Sequence, residues 1–159
     1  MGHRNEEMNR ELAYDPGRLP SRPAPRAGDS VEFRLPGLPP FKDESFSIRN
    51  PKHRFHDRFV ALRTTAIGAM AGRTWSHGAI GLDLELHAPS MDARRALVDY
   101  VGGVMDSLDG SHGPHFTYLP IAYNDDCQIC EGDCSFHPSK DEWYSVRIRF
   151  LTDIQQQPT

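Results

Sequence analysis

The chain has 159 residues, of which 38% are hydrophobic, and its formal net charge is −4. This length fits one domain, and the acidic balance is unlike a typical nucleic-acid-binding domain, which is basic. Any contact with DNA would therefore come from a local basic patch. No apolar run is long enough to span a membrane, and the polar, charged residues 1–12 are unlike a secretory signal. We therefore expect a cytoplasmic protein without a membrane segment.

The N-terminal part of the chain is rich in proline, with Pro16, Pro20, Pro23 and Pro25 interleaved with glycine and arginine. Such a composition cannot bury enough apolar surface to offset the entropy of ordering the chain. We therefore predict a disordered arm over residues 1–30, one α+β domain over 31–151 and a flexible tail over 152–159. A proline-rich segment that binds a partner is the alternative interpretation of the arm.

Six segments have the apolar periodicity of regular structure. They are strands at 31–35, 80–88, 116–123 and 143–151, and helices at 56–71 and 92–108. The strand at 80–88 is the clearest, because apolar and polar residues alternate along its whole length. This order of elements predicts a small mixed β-sheet with two main helices packed on it.

Two adjacent carboxylates, Asp125 and Asp126, follow the predicted strand at 116–123. Neighbouring carboxylates repel each other, and a shared cation relieves that repulsion. Mg²⁺ prefers oxygen ligands of this kind. Asn124-Asp125-Asp126 is also ordinary turn sequence, so a turn without an ion is the alternative.

The second predicted helix carries acidic residues at positions 92, 99 and 106, on a stripe opposite its apolar stripe. This stripe is either a solvated face or a source of a further cation ligand. Asp99 is the candidate ligand if the stripe approaches Asp126.

Four residues that commonly bind zinc lie close together in the sequence. They are Cys127, Cys130, Cys134 and His137. This C-x2-C-x3-C-x2-H spacing suits a tetrahedral Cys₃His zinc site, and the odd number of cysteines argues against a disulfide framework. Thiols that bind no metal and a redox C-x-x-C pair are the alternatives.

Basic residues occur at two places that could contact a phosphate backbone. They are Lys52 and Arg54 in the polar loop at 41–54, and Arg94 and Arg95 near the start of the second helix. Each pair is equally consistent with solvated basic side chains.

Four short segments occur in an order that resembles a known family. They are Leu35-Pro36-Gly37-Leu38-Pro39-Pro40, Leu86-His87-Ala88-Pro89, Met105-Asp106-Ser107-Leu108 and Asn124-Asp125-Asp126-Cys127-Gln128-Ile129. With the order of helices and strands over 31–151, they resemble the RusA-like family of Holliday junction resolvases, which are small, phage-associated, Mg²⁺-dependent DNA endonucleases.

The resemblance implies a homodimer that nicks branched DNA in recombination and repair. It implies catalytic roles for Asp99, Asp125 and Asp126, with Asp99 and Asp126 holding Mg²⁺. A metal ion held by aspartates can activate water and stabilise the charge that develops on phosphate. Lys52, Arg54, Arg94 and Arg95 would then contact the DNA.

The chain departs from the family pattern at the start of the second helix. Where the family has Asp-x-Asp-Asn and then a lysine, this chain has Ala96-Leu97-Val98-Asp99 and then Gly102-Gly103. Two main hypotheses therefore stay open: a divergent endonuclease, or a non-catalytic binding or assembly module of the same fold that is stapled by zinc at the Cys/His cluster. A metal-dependent hydrolase unrelated to DNA, using the same carboxylates, is a third.

Overall fold

The computed structural model describes residues 20–42, 47–91, 95–109, 111–112 and 117–151. Its elements in chain order are β1 (Ser30–Pro36), α1 (His56–Met70), β2 (Ile80–Ala88), α2 (Leu97–Leu108), β3 (Ser111–His112), β4 (Thr117–Tyr118), a 3₁₀ helix (Asp126–Gln128), β5 (Ile129–Pro138) and β6 (Trp143–Phe150). The predicted α+β class, a small mixed sheet with two helices, is confirmed. Residues 1–19 and 152–159, which include most of the predicted arm and the predicted tail, lie outside the described residues.

The main sheet has four strands in the order β1-β6-β2-β5. β6 pairs antiparallel with β1 on one side and with β2 on the other. β5 pairs in parallel with the far edge of β2. β6, the last strand among the described residues, is therefore an inner strand of the sheet, while β1 and β5 form its two edges.

One face of the sheet forms the core with both helices. Along β6, Tyr144, Val146, Ile148 and Phe150 are buried, as the alternating sequence predicts. The helices cover this face with buried residues at helical spacing, which include Phe59, Leu62, Ala66 and Met70 of α1 and Tyr100, Val104 and Leu108 of α2. The opposite face carries the polar residues of the strands, so the two faces of the sheet have different chemistry.

A close backbone contact positions α2. A Cβ atom added at Gly103 would lie only 1.7 Å from the carbonyl oxygen of Pro40. Only glycine allows the helix to approach the loop after β1 this closely. The contact holds α2 against the segment that leads into the basic loop.

The packed chain begins before the predicted boundary at residue 31. The backbone N–H groups of Ser21 and Arg22 both donate to the carbonyl oxygen of Gly72, at 2.9 and 3.0 Å, and the N–H of Gly28 donates to Phe150 at 2.7 Å. Residues 20–30 therefore run along the domain despite their composition, and the arm boundary is corrected. Their backbone N–H groups donate hydrogen bonds to carbonyl oxygens just after α1 and on β6.

Three predicted elements differ in extent. The strand predicted at 116–123 is Thr117–Tyr118 within the described residues, and the buried residues at 121–123 follow it in irregular structure. The helix predicted at 92–108 begins at Leu97, because Ala96 has extended backbone. Most of the segment that was predicted to hold a zinc site is the strand β5, whose register is set by its pairing with the edge of β2.

Among the described residues, no helix combines the length and apolar character that crossing a membrane requires.

Candidate functional site

Three carboxylates meet where α2 ends. Asp106 and Asp109 lie at the C-terminal end of α2, and Asp126 begins the 3₁₀ helix before β5. Burial and then the negative charge of Asp126 raise the pKa of Asp109 to about 7, and a hydrogen bond to Asp126 contributes in the same direction. Burial also raises the pKa of Asp106 and that of Asp126. Burial, together with the nearby charge of Asp126, therefore makes Asp109 harder to ionise than a free aspartate.

The segment before β5 brings Asp126 to α2. Tyr123 is fully buried, and its hydroxyl donates to the carbonyl oxygen of Met105 at 3.3 Å. Gln128 then closes the turn, because its Oε1 accepts the N–H groups of Asn124 and Asp125 at 2.8 and 2.9 Å. These contacts place the two neighbouring aspartates in different surroundings.

Asp125 and Asp126 therefore have separate roles. The Asp125 carboxylate accepts the N–H of Cys127 at 2.8 Å, and this bond lowers the pKa of Asp125. Asp125 is exposed and caps the 3₁₀ helix, which is the turn interpretation of this residue. Asp126 faces Asp109 instead, and its Oδ1 is buried without a hydrogen-bond partner among the described residues.

Arg49 partly neutralises the carboxylates. Its Nη2 lies 2.8 Å from Asp109 Oδ1 and 2.7 Å from the carbonyl oxygen of Asp106. The positive charges of Arg49 and Lys42 lower the pKa of Asp106 against the larger effect of burial. When all three carboxyl groups are ionised, their negative charge exceeds the positive charge of Arg49, and a divalent cation with oxygen ligands would neutralise the excess.

The buried side chain of Arg63 holds the end of α2 in place. It donates to the carbonyl oxygens of Ser107 at 2.8 Å and Leu119 at 2.7 Å, so it joins α1 to α2 and to the segment after β4. Its sequence position, among the apolar residues of α1, is a signal that could have revealed a buried cation.

The structure does not bring Asp99 to Asp126. Asp99 accepts the N–H of Ala96 at 3.1 Å and so caps the start of its own helix. It precedes Asp106 by two helical turns, which is roughly 10 Å along the axis. The predicted Asp99–Asp126 pair is therefore not formed, and the carboxyl groups that lie near Asp126 are those of Asp106 and Asp109.

The predicted DNA-contacting residues fall into three groups. Lys52 and Arg54 are exposed, in the same loop as Arg49. The guanidinium of Arg95 lies 4.5 Å from the centre of the Phe41 ring, on the loop that packs against α2. Arg94 lies outside the described residues.

The four predicted zinc ligands do not converge. Cys127 precedes β5, and Cys130, Cys134 and His137 lie along it. Because a strand advances about 3.3 Å per residue, Cys130 and His137 are roughly 20 Å apart, whereas ligands of one zinc ion lie within about 4 Å of each other. The predicted Cys₃His zinc site is therefore not formed, because the four residues are too far apart to bind one ion.

The alternation of the strand also separates two of these residues. Cys134 packs against the core on the helix side of the sheet, and burial raises the pKa of its thiol. His137 lies on the opposite face, where its ring stacks on that of His87. All three cysteines are free thiols, and His137 instead groups with Glu85 and His87 as a possible metal-binding triad.

No known family model matches this chain, and no curated protein matches it at a significant level. The candidate functional site is a partly buried cluster of three carboxyl groups beside a basic loop on a small α+β fold.

Proposed function

We propose that this chain is a divergent RusA-like, Mg²⁺-dependent endonuclease that acts on branched DNA such as Holliday junctions. The observation that carries the proposal is the pair of Asp109 and Asp126, both partly buried, with Asp106 beside it. Carboxylates that are clustered partly away from solvent and have raised pKa values are found where a site must bind a cation or move a proton.

The residues at the site fit a hard cation. Asp106, Asp109 and Asp126 offer oxygen atoms, and Asp126 Oδ1 is buried without a partner among the described residues. These three residues would hold Mg²⁺, with Asp126 as the main ligand. The chemistry supplied by the bound ion would be activation of water and stabilisation of charge on the phosphate.

The basic loop supplies the complementary function. Arg49 lies on the carboxylates, and Lys52 and Arg54 are exposed farther along the same loop. In the proposed complex these two side chains contact phosphates on either side of the scissile bond. A homodimer would present two such sites to the two-fold symmetric junction.

The test is cleavage of a synthetic four-way junction by the purified chain with Mg²⁺. We expect Asp126→Asn to lower the rate by at least about a hundredfold. Mutation of a residue that only contacts a metal ligand costs about 10–100-fold, and loss of the ligand itself costs more. Asp125→Asn is the matched control, since it changes the neighbouring carboxylate that caps the turn. Equal rates in the wild type and Asp126→Asn, or no cleavage by the wild type, would contradict the proposal.

A second candidate function is a non-catalytic junction-binding module of the same fold. It is favoured by the Arg49–Asp109 ion pair, because the guanidinium already neutralises part of the cluster without an ion. It is also favoured by Ala96 and Gly102, where the resembled family has an acid and a lysine. A mobility-shift assay separates the two candidates: binding of the junction without cleavage supports the module, and cleavage that depends on Asp126 supports the enzyme.

A further inference from the structure

The polar face of the sheet carries a row of stacked side chains from all four strands. The His87 ring on β2 lies 3.7 Å from the Trp143 ring on β6, with planes 6° apart. On its other side it lies 4.8 Å from the His137 ring on β5, with planes 17° apart. The Arg34 guanidinium on β1 covers the Trp143 ring at 4.3 Å.

The sheet register produces this row. His87 is paired directly with Trp143 on one neighbouring strand and with His137 on the other. Glu85 precedes His87 by two residues, so it points from the same face. The pairing of β2 with its two neighbours therefore places two imidazoles and a carboxylate side by side on the polar face of the sheet.

The surroundings of one ring nitrogen of His87 are unusual. Its Nε2 is buried and has no hydrogen-bond partner among the described residues. The nearest carboxylate oxygen, Glu85 Oε2, is 3.7 Å away, which is too far for a hydrogen bond. A buried polar atom without a partner is costly, and an ion placed between these groups would satisfy it.

We propose that Glu85, His87 and His137 bind one divalent transition-metal ion of the Zn²⁺ class. One ligand atom from each residue lies within 4.8 Å of the other two. Two ligands of a tetrahedral zinc ion, each about 2.0–2.2 Å from it, lie roughly 3.4 Å apart, so binding requires the ligand atoms to move closer by up to roughly 1.4 Å. The side chain of Glu85 is 53% exposed and can supply that movement.

The stack also predicts how binding occurs. The lone pair of an imidazole nitrogen lies in the ring plane, so parallel rings cannot both aim at one ion. His87 is held between Trp143 and His137, whereas His137 is exposed. His137 therefore turns out of the stack when the ion binds, and Ser135 Oγ, 2.9 Å from His137 Nε2, is placed to orient that ring.

The donor set selects the class of metal. Two nitrogens and one oxygen favour Zn²⁺ and its neighbours in the first transition row over Mg²⁺. Three protein ligands leave a coordination position open. A polar depression of about 250 Å³ adjoins Glu85 and is lined by Ser135, Ser145 and Arg147 together with the acidic residues Glu32, Asp83 and Asp133, so the side of the triad next to Glu85 has space for water.

This site is independent of the proposed nuclease site. The carboxylate cluster lies at the end of α2, on the helix-covered face of the sheet, and the triad lies on the polar face. The metals also differ, because the cluster offers only oxygen ligands.

The experiment is calorimetric titration of the full chain with Zn²⁺ in a Cys127→Ser, Cys130→Ser, Cys134→Ser background, which removes binding by thiols. We expect one ion per chain, and a dissociation constant raised at least about tenfold by His137→Ala. His77→Ala is the matched control, since it removes another exposed histidine near the opposite end of β2. We expect this control to leave the affinity unchanged.

Fluorescence gives a second readout that reports on the stack. Zn²⁺ should change the emission of Trp143, and the change should be absent in Trp143→Phe and in His137→Ala. Loss of Zn²⁺ binding in the cysteine-free background, or equal affinity in His137→Ala and His77→Ala, would overturn the proposal. Neither result would change the outcome expected for junction cleavage with Mg²⁺, so the zinc proposal and the nuclease proposal can be refuted independently.

Discussion

The carboxyl groups of Asp109, at the end of α2, and Asp126, at the start of the 3₁₀ helix, lie close enough together for each to alter the pKa of the other. A proton on one of the two groups removes their mutual repulsion, so the contact between the two elements is most favourable when that proton is present. This relationship makes the stability of the domain sensitive to pH in a defined direction.

We predict that the chain becomes less stable as the pH rises from about 4 to about 7. The pKa of Asp109 is raised from 3.8 to about 7, so the folded state binds more protons than the unfolded state in this interval. Its contribution is complete below the unfolded pKa and is lost as the pH rises through the folded pKa. The loss is roughly 2–4 kcal/mol, measurable by urea unfolding in chelator at several pH values.

The matched variants for this experiment are Asp109→Asn and Asp141→Asn. The amide in Asp109→Asn mimics the protonated acid, so the pH dependence should become shallower. Asp141 is exposed between β5 and β6, and its variant should keep the wild-type profile. Identical profiles for the wild type and Asp109→Asn would show that Asp109 titrates normally.

We predict that Mg²⁺ stabilises the domain above neutral pH. The ion would replace the shared proton and relieve the repulsion between Asp109 and Asp126. At ten times its dissociation constant, a ligand that binds only the folded state adds about 1.4 kcal/mol to the free energy of unfolding. Thermal unfolding with Mg²⁺ and with chelator should show this shift in the wild type and in Asp125→Asn, and no shift in Asp126→Asn.

Two adjacent glycines of α2 should respond oppositely to alanine. A Cβ at Gly103 would overlap the Pro40 carbonyl, whereas a Cβ at Gly102 meets nothing within 4 Å. Gly103→Ala should lower the free energy of unfolding by at least about 2 kcal/mol, and Gly102→Ala should raise it by about 0.5–1 kcal/mol. Denaturant unfolding measures both, and similar effects of the two changes would refute the close helix–loop contact.

Arg63 should be among the most sensitive charged residues in the described part of the chain. Arg63→Leu removes the hydrogen bonds that Arg63 donates to the carbonyl oxygens of Ser107, Asp109 and Leu119, and each bond from a charged donor contributes about 1.5–3 kcal/mol. Loss of roughly 3 kcal/mol or more is expected in urea unfolding. Arg26→Leu changes an exposed arginine and should alter stability by less than about 0.5 kcal/mol.

The strands β2 and β6 could be predicted because apolar and polar residues alternate strictly along them. β2 was predicted at Ile80–Ala88 and is observed there, and β6 ends one residue before its predicted end. In both strands the buried face is continuously apolar, so a shift by one residue would expose every core side chain. The first helix was also predicted closely, because Ala71 and Gly72 have positive φ and end it.

β5 was not predicted, since its sequence has few β-branched or aromatic residues. Gly132 and Cys134 occupy its core-facing positions, and a Cβ at Gly132 would lie 2.2 Å from the Leu82 carbonyl oxygen. The register of an edge strand in a parallel pair is set by the neighbouring strand. That strand is distant in the sequence, so the register cannot be read from the residues of the edge strand itself. Cysteine spacing that suits a zinc knuckle is therefore also compatible with an extended strand.

The acidic site was only half predicted for a similar reason. Asp126 was identified from its adjacent carboxylate, but Asp109 became its partner through the packing of Tyr123 and Arg63 under the end of α2. Asp99 satisfies a backbone N–H of its own helix, a local role that competes with any distant one.

The inner position of β6 also sets the order of assembly during synthesis. β1 and β2 each pair with β6 and not with each other, so neither has its antiparallel partner until residues 143–150 have left the ribosome. Up to that moment β1 is unpaired and β2 can pair only with β5, so the emerging polypeptide exposes apolar strand edges, and a nascent chain stalled before residue 143 would be a ready target for chaperones.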